Sequence, residues 1–381
     1  MTDITQGVCM QKMIKNFIEM AEILSPSKKE KELSNYLIKK LKIFSEKIIV
    51  DRASNLIIKI PGDKRLNPFL LSAHMDTVQT SKRPSIKIYK KGIFTSNKTI
   101  LGADCKAGIS IIIELVEKLF KENIKHPPLE LVFTAGEEIG LYGSSRLDKS
   151  LVDSEYGVVL DNEKKINQVV TEAVGVDNFE ILIKGKASHS GVEPEKGISA
   201  IKILSSIINQ IKTGRLSDYT TLNIGFIEGG KGINIVPPQA KAKGEIRSFK
   251  REEINLIEDN IEKIIIKSIK KEKKINGLPS YEFKINKRFA GFSIDKNSYI
   301  IKTIEKAYKK NNIKAAFTKS FGGTDANNFY KMGIITPNIA TGMKNVHTPD
   351  EYLDISEFNK SFDIIVDIIR LLSEDKSEDK N

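Results

Sequence analysis

The chain of 381 residues contains no tryptophan and two cysteines, Cys9 and Cys105. Two cysteines cannot build a disulfide framework, so a reducing, cytoplasmic setting is expected. Histidine is also scarce, at four residues, which makes the position of each one informative. No apolar run approaches the roughly 20 residues that span a bilayer. The opening Met1-Thr2-Asp3 has no basic stretch ahead of an apolar one, so a secretion leader is not expected. The 25 glycines and 12 prolines follow no repeat, which excludes collagen-like and low-complexity classes. What is present is ordinary globular material, 40% hydrophobic and 29% charged. That suffices for a sizeable core in two domains, or in one large domain with an insertion.

Charge of one sign is in excess: 61 Lys+Arg against 49 Asp+Glu, a net +12. The basic residues are overwhelmingly lysine and are scattered among acids. Nucleic-acid readers concentrate arginine or interleave basic and aromatic residues in a compact stretch. Neither a nucleic-acid nor a membrane partner is therefore expected.

Periodicity predicts helix through Met13–Leu24, then a second helix to Leu41 capped by Ser25-Pro26-Ser27. Strands follow at 47–51, 56–61 and 69–73, a helix at 107–119, and strands at 129–134 and 156–161. Alternating strands and helices imply an α/β layer with a mostly parallel sheet. From about Val176 the pattern changes to β-α-β-β-α-β, with strands at 179–184, 221–227, 240–248 and 281–285 around helices 197–212 and 252–270. That is a ferredoxin-like α+β order. After Arg288 the α/β texture resumes, with helices at 298–310 and 356–372 and a polar tail, 373–381, expected to fray. The expected architecture is a discontinuous α/β/α domain, 1–176 with 288–381, carrying an inserted ferredoxin-like domain, 177–287.

Five short segments carry chemistry. His74 and Asp76 end an apolar strand two residues apart, on one face of that strand, where an acid can orient a metal-bound imidazole; a surface histidine at a strand end is the plainer account. Asp104, in Gly102-Ala103-Asp104-Cys105, precedes a helix and is either its cap or a carboxylate able to bridge two cations. Glu137 and Glu138 follow another apolar strand. Adjacent acids repel unless something compensates them, and either solvent or two metal ions would do so. Asp161 ends a further apolar run, and His347 lies in a loop before the last helix. In open α/β sheets ligand sites gather at the carboxyl ends of strands. Two divalent cations bring four positive charges. Asp104, Glu138 and Asp161 with a bridging hydroxide balance them, while His74 and His347 complete two sites without adding charge. Mixed nitrogen and oxygen ligation suits zinc, with cobalt or manganese as alternatives.

The ordered set His74-x-Asp76, Gly102-Ala103-Asp104, Gly136-Glu137-Glu138, Asp161 and His347 resembles the dinuclear zinc exopeptidases, a family that includes peptidase T, carboxypeptidases and aminoacylases. The likeness spans nearly the whole chain and is strongest to peptidase T-like members, through Leu101–Gly108, Thr134–Glu138 and Gly322-Gly323-Thr324-Asp325. It implies a catalytic domain with a dimerising lid and cleavage of amide bonds in short peptides, as an aminopeptidase. The alternative within the family is a carboxypeptidase or N-acyl-amino-acid deacylase. By the same resemblance His74, Asp104 and Asp161 would hold one metal, and Asp104, Glu138 and His347 the other. Asp76 would orient His74, and Glu137 would be the general base. His189 in the lid would assist the oxyanion, often across a homodimer. Asn234, Arg247 and Gly323 stand at positions of substrate contact. A cis peptide is expected at Asp104–Cys105. Two departures stand out: Cys105 replaces a second acid after Asp104, and Phe321 replaces an arginine before Gly322, so strict tripeptide specificity is not implied. Cys9 is assigned to helix packing and His126 to an ordinary loop.

Overall fold

A computed structural model describes residues 2–78 and 80–374, with side chains from residue 12 onward. The packing assigned to Cys9 and the fraying assigned to 375–381 lie outside the described residues. The first two residues of the tail expected to fray, Ser373 and Glu374, instead finish the last helix, where Ser373 is buried and donates its hydroxyl to the Lys125 carbonyl at 2.9 Å. By internal contacts the chain divides into two units: Met1–Glu172 with Ser293–Asn381, and Ala173–Phe292.

The first unit is built on a nine-stranded sheet. Its centre is four parallel strands, Leu129–Thr134, Phe69–His74, Tyr156–Asn162 and Asn338–Ala340. Lys47–Val50 and Leu56–Ile60 flank it antiparallel on one side, and Gln168–Ala173 on the other. Phe69–His74 and Leu129–Thr134 are buried at every residue, which is why they read as unbroken apolar runs. Helix Ala103–Lys121 packs on the sheet and is covered in turn by helices Thr2–Ala21 and Ile355–Glu374. Enclosed on all sides, it buries nearly every side chain from Ala103 to Val116. Gly108 makes the close approach possible: a Cβ there would fall 2.2 Å from the Leu160 carbonyl oxygen.

Parallel pairing puts the strand ends level. His74 pairs with Thr134, and Ser72 pairs with Val159, so two residues further on His74 stands beside Asp161. The polar residues therefore collect at one edge because the strands run in one direction.

One local expectation is corrected, and two elements are added. Ser25-Pro26-Ser27 is not a helix cap: the second helix is Lys31–Leu41 with Glu30 at its N-cap. Pro26 instead bridges to Thr77, and Ser25 donates its hydroxyl to the Met75 carbonyl. The hairpin Ile86–Tyr89/Gly92–Thr95 and the strand Gln168–Ala173 were not legible. Their strands are short and only partly apolar.

The second unit is a five-stranded antiparallel sheet in the order Gly214–Ser217, Thr220–Gly229, Gln239–Ser248, Gly175–Lys184, Ser280–Phe289. Helices Ala200–Gln210 and Arg251–Lys270 bury Ile203, Leu204, Ile207, Ile261 and Ile265 against Ile181, Ile183 and Ala242. Apart from the short edge strand Gly214–Ser217, this is the ferredoxin-like order. Among the described residues no helix is long and apolar enough to cross a membrane.

Candidate metal centre

His74 closes its strand with the ring buried. Its Nε2 lies 3.0 Å from Asp104 Oδ1 and 3.6 Å from Asp161 Oδ1. The other Asp104 oxygen lies 3.0 Å from Nε2 of His347, which is itself 2.9 Å from Glu138 Oε1. One carboxylate thus stands between two histidines, each with a second acid. Two ligand groups follow, His74 with Asp104 and Asp161, and Asp104 with Glu138 and His347. Within each group the ligand atoms fall within 4.8 Å of one another. Cys105 Sγ also falls within the first group, but its thiol donates to the Leu160 carbonyl at 2.6 Å. The Asp104–Cys105 peptide is cis.

Each acid sits on backbone held by a buried side chain from elsewhere. The turn of Asp104 is held by Glu351. That of Glu137 and Glu138 is held by Asp76, whose carboxylate accepts their N–H groups at 2.8 and 3.2 Å. Glu30 takes the Gly136 N–H at 3.0 Å. Asp161 is fixed by the Asn338 amide, which accepts its N–H and donates to its carbonyl. Thr324, next to Gly323, donates its hydroxyl to Asp161 Oδ2 at 3.3 Å.

Asp76 meets His74 through its backbone as well as its side chain. His74 Nδ1 is bonded to the Asp76 backbone carbonyl at 2.8 Å, and the carboxylate stands 3.5 Å away. The strand ends at His74, so the two-residue alternation that would align the side chains stops there. Thr324 was marked only as part of Gly322-Gly323-Thr324-Asp325, and Glu30, Asn338 and Glu351 escaped the sequence reading. Each of these three bonds backbone distant in sequence, and nothing local marks them.

The electrostatics follow from crowding. Burial opposes charge on His74, but Asp104, Asp161 and Asp76 outweigh it and hold the imidazole well above its ordinary pKa. His347 is pushed up to about 10 by Asp104 and Glu138. Asp104, though buried, is held below the usual carboxylate range by the two histidines. Asp161 rises to about 7 through burial and the neighbouring Asp104 charge. Glu137 rises well above its ordinary value through burial, with Asp161, Asp325 and Glu138 adding to it and His74 opposing. Its carboxylate makes no hydrogen bond or ion pair among the described residues.

The donor set fits a pair of divalent cations. Nε2 of both histidines points at the shared carboxylate, and buried Glu138 Oε1 has no hydrogen-bond partner although His347 Nε2 is beside it. Imidazole and carboxylate are the ligands that zinc and similar ions take, and a bridging aspartate suits a two-metal site.

The remaining candidates lie in the second unit. His189 is exposed and accepts the Gly191 N–H on Nδ1 at 3.2 Å. It bridges to Ile235, and the Asn234 carbonyl accepts the Ser190 N–H, so His189 and Asn234 are neighbours. Arg247 lies along Glu245 of its own strand, with Nε 2.8 Å from Oε1.

Comparison with known proteins agrees with this geometry. The profile of the M20 peptidase dimerisation domain matches residues 171–273. A Bacillus subtilis protein described only as uncharacterized, YqjE, is 33% identical over 367 residues, covering 94% of this chain and 98% of its own. The crystal structure of the aminopeptidase PepT of Bacillus cereus superposes with a TM-score of 0.87 at 30% identity, over 96% of this chain and 99% of that one. A Staphylococcus aureus tripeptidase gives a TM-score of 0.89 at 25% identity, over 96% and 98%. With likeness of that extent in sequence and in structure, the chain belongs to the peptidase T-like branch of the M20 metallopeptidase family.

Proposed function

We propose that this chain is a two-metal aminopeptidase that removes the N-terminal residue from short peptides. The observation that carries the reading is Asp104, whose two oxygens each face a different histidine at 3.0 Å while the neighbouring Glu137 carboxylate stays unengaged. His74, Asp104 and Asp161 hold one cation, and Asp104, Glu138 and His347 hold the other, with zinc the natural occupant for this donor set. The cations, when bound, polarise the scissile carbonyl and acidify water. Glu137 takes a proton from the attacking water and delivers it to the departing amine nitrogen. Asp76 keeps Glu137 in place through the backbone. In the second unit His189 steadies the developing oxyanion, and Asn234 and Arg247 contact substrate, as does Gly323 in the first unit. The match to a dimerisation domain supports a homodimer formed through residues 177–287, the lid of a catalytic domain made of 1–176 and 288–381. Cysteine usage supports a cytoplasmic setting.

The test is hydrolysis of free-amino di- and tripeptides beside N-acetylated amino acids, with metal-stripped protein titrated by zinc, cobalt or manganese. Metal-dependent release of the N-terminal residue is expected. Turnover of the acylated compounds alone would move the activity to the deacylases. Glu137→Gln is expected to lower kcat by roughly 10²–10⁴-fold with two cations still bound, and loss of the metals together with activity would contradict the assignment of the base.

A further inference from the structure

Glu351 is buried, at 1% exposure, and belongs to neither ligand group. Its carboxylate is nonetheless fully used by the backbone. Oε2 accepts N–H groups from Leu101 at 2.8 Å and Gly102 at 2.9 Å, and Oε1 accepts from Asp104 at 3.1 Å. Three donors converge because Gly102 takes φ = 77°, a left-handed conformation that turns successive N–H groups toward one anion. The buried Lys106 ammonium supplies a nearby positive charge.

The same residue closes the loop of His347. The Glu351 N–H donates to the Thr348 carbonyl at 3.1 Å. The Thr348 hydroxyl donates to the Asn345 carbonyl at 2.7 Å and accepts the Asp350 N–H at 3.2 Å. His347 itself holds φ = 64°, which a histidine keeps only when its surroundings demand it. One side chain therefore ties the turn of Asp104 to the loop of His347. These two residues meet at 3.0 Å, although they are far apart in the sequence.

We propose that Glu351 is a positioning residue that sets the separation of Asp104 and His347, and with it the affinity of the cation those residues share with Glu138. The inference rests on the two-cation reading. A carboxylate is required because glutamine has one acceptor oxygen and would turn its amide group against N–H donors.

The experiment is calorimetric titration of metal-stripped protein with Zn²⁺, repeated with Co²⁺ to follow the visible absorption of each bound ion, for wild type and Glu351→Gln. Removing a group that holds a ligand in place costs roughly 10–100-fold in metal affinity. That loss is expected in the weaker of the two binding steps, with a smaller change in the other, which His74 and Asp161 also hold. If Glu351→Gln takes up both cations with wild-type affinities and merely melts lower without metal, the residue serves the fold alone and the proposal is overturned. If Glu351→Gln does not fold, Thr348→Ala decides: it slackens the same loop, and a weakened second step supports the proposal while an unchanged one refutes it. A wild type that binds fewer than two cations overturns the two-cation reading and this proposal together.

Discussion

Asp76→Asn separates two accounts of one carboxylate. If Asp76 orients His74 through its side chain, the change weakens the cation on His74. The geometry favours another outcome. The His74 ring is held by the Asp76 backbone carbonyl, which the substitution leaves in place. The carboxylate holds the N–H groups of Glu137 and Glu138 and the Ser27 hydroxyl at 2.7 Å. Asparagine keeps one acceptor oxygen and presents an amide group to the remaining donors. A hydrogen bond to a charged group contributes about 1.5–3 kcal/mol, and Asp76 is fully buried, so water cannot replace what is lost. At 1.36 kcal/mol per decade of rate, one such bond withdrawn from the turn that aims Glu137 lowers kcat about 10–150-fold. The assay is steady-state tripeptide hydrolysis at saturating zinc, with bound metal measured on the same samples. A fall in kcat with the His74-held cation retained is expected. A normal kcat, or a loss explained entirely by that cation, refutes the reasoning.

Gly108→Ala forces a methyl group to within 2.2 Å of the Leu160 oxygen and 2.9 Å of the Leu160 Cβ. Overpacking of this kind costs about 1–3 kcal/mol, so the midpoint of thermal unfolding is expected to fall by roughly 2 °C or more, and an unshifted midpoint would show that the helix and strand can part without cost. In the second unit, burial and the Asp177 carboxylate lift Glu258 from 4.5 to about 7, against the pull of Arg251. Its folded pKa exceeds its unfolded one, so the folded state binds more protons between those values and stability declines as pH rises through that window. Melting curves of wild type and Glu258→Gln are expected to converge at the acid end and separate toward pH 7, with the variant the more stable; parallel curves would dismiss the effect.

Much of this site was legible because its residues end apolar strands. The runs before His74, Glu137 and Asp161 announce buried parallel strands, and strands running in one direction bring their ends together. His347 drew attention through scarcity alone. What stayed hidden was the support. Glu351 contacts residues about 250 positions away in the sequence, and Asn338 secures Asp161 from 177 away. No local period marks a side chain whose partner is a distant backbone N–H. Asp76 was placed beside His74, where its carboxylate stands 3.5 Å from Nδ1; its bonds to the Glu137 and Glu138 N–H groups were not legible, because those partners are distant in sequence. Ser25-Pro26-Ser27 has the composition of a cap, yet its hydroxyls serve Met75 and Asp76, a pairing that depends on tertiary structure.

The supporting bonds also explain how so many acids tolerate one another. Two like charges 4 Å apart repel by about 4 kcal/mol at an effective dielectric constant of 20, and Asp104 stands within 4.8 Å of Asp161 in one group and of Glu138 in the other. On free loops such repulsion would be relieved by moving apart, and a cation would then have to gather its ligands again. Here the turns cannot drift, because Asp76, Glu30, Asn338 and Glu351 pin their backbones. The repulsion is answered by protons instead, on His74 and His347, whose pKa values stand far above that of free imidazole. Cations entering the site must expel those protons. They then meet ligands already in place, so relief of the repulsion goes into binding rather than into rearrangement. On this argument the backbone-directed bonds around the acids contribute to metal affinity alongside the ligands themselves.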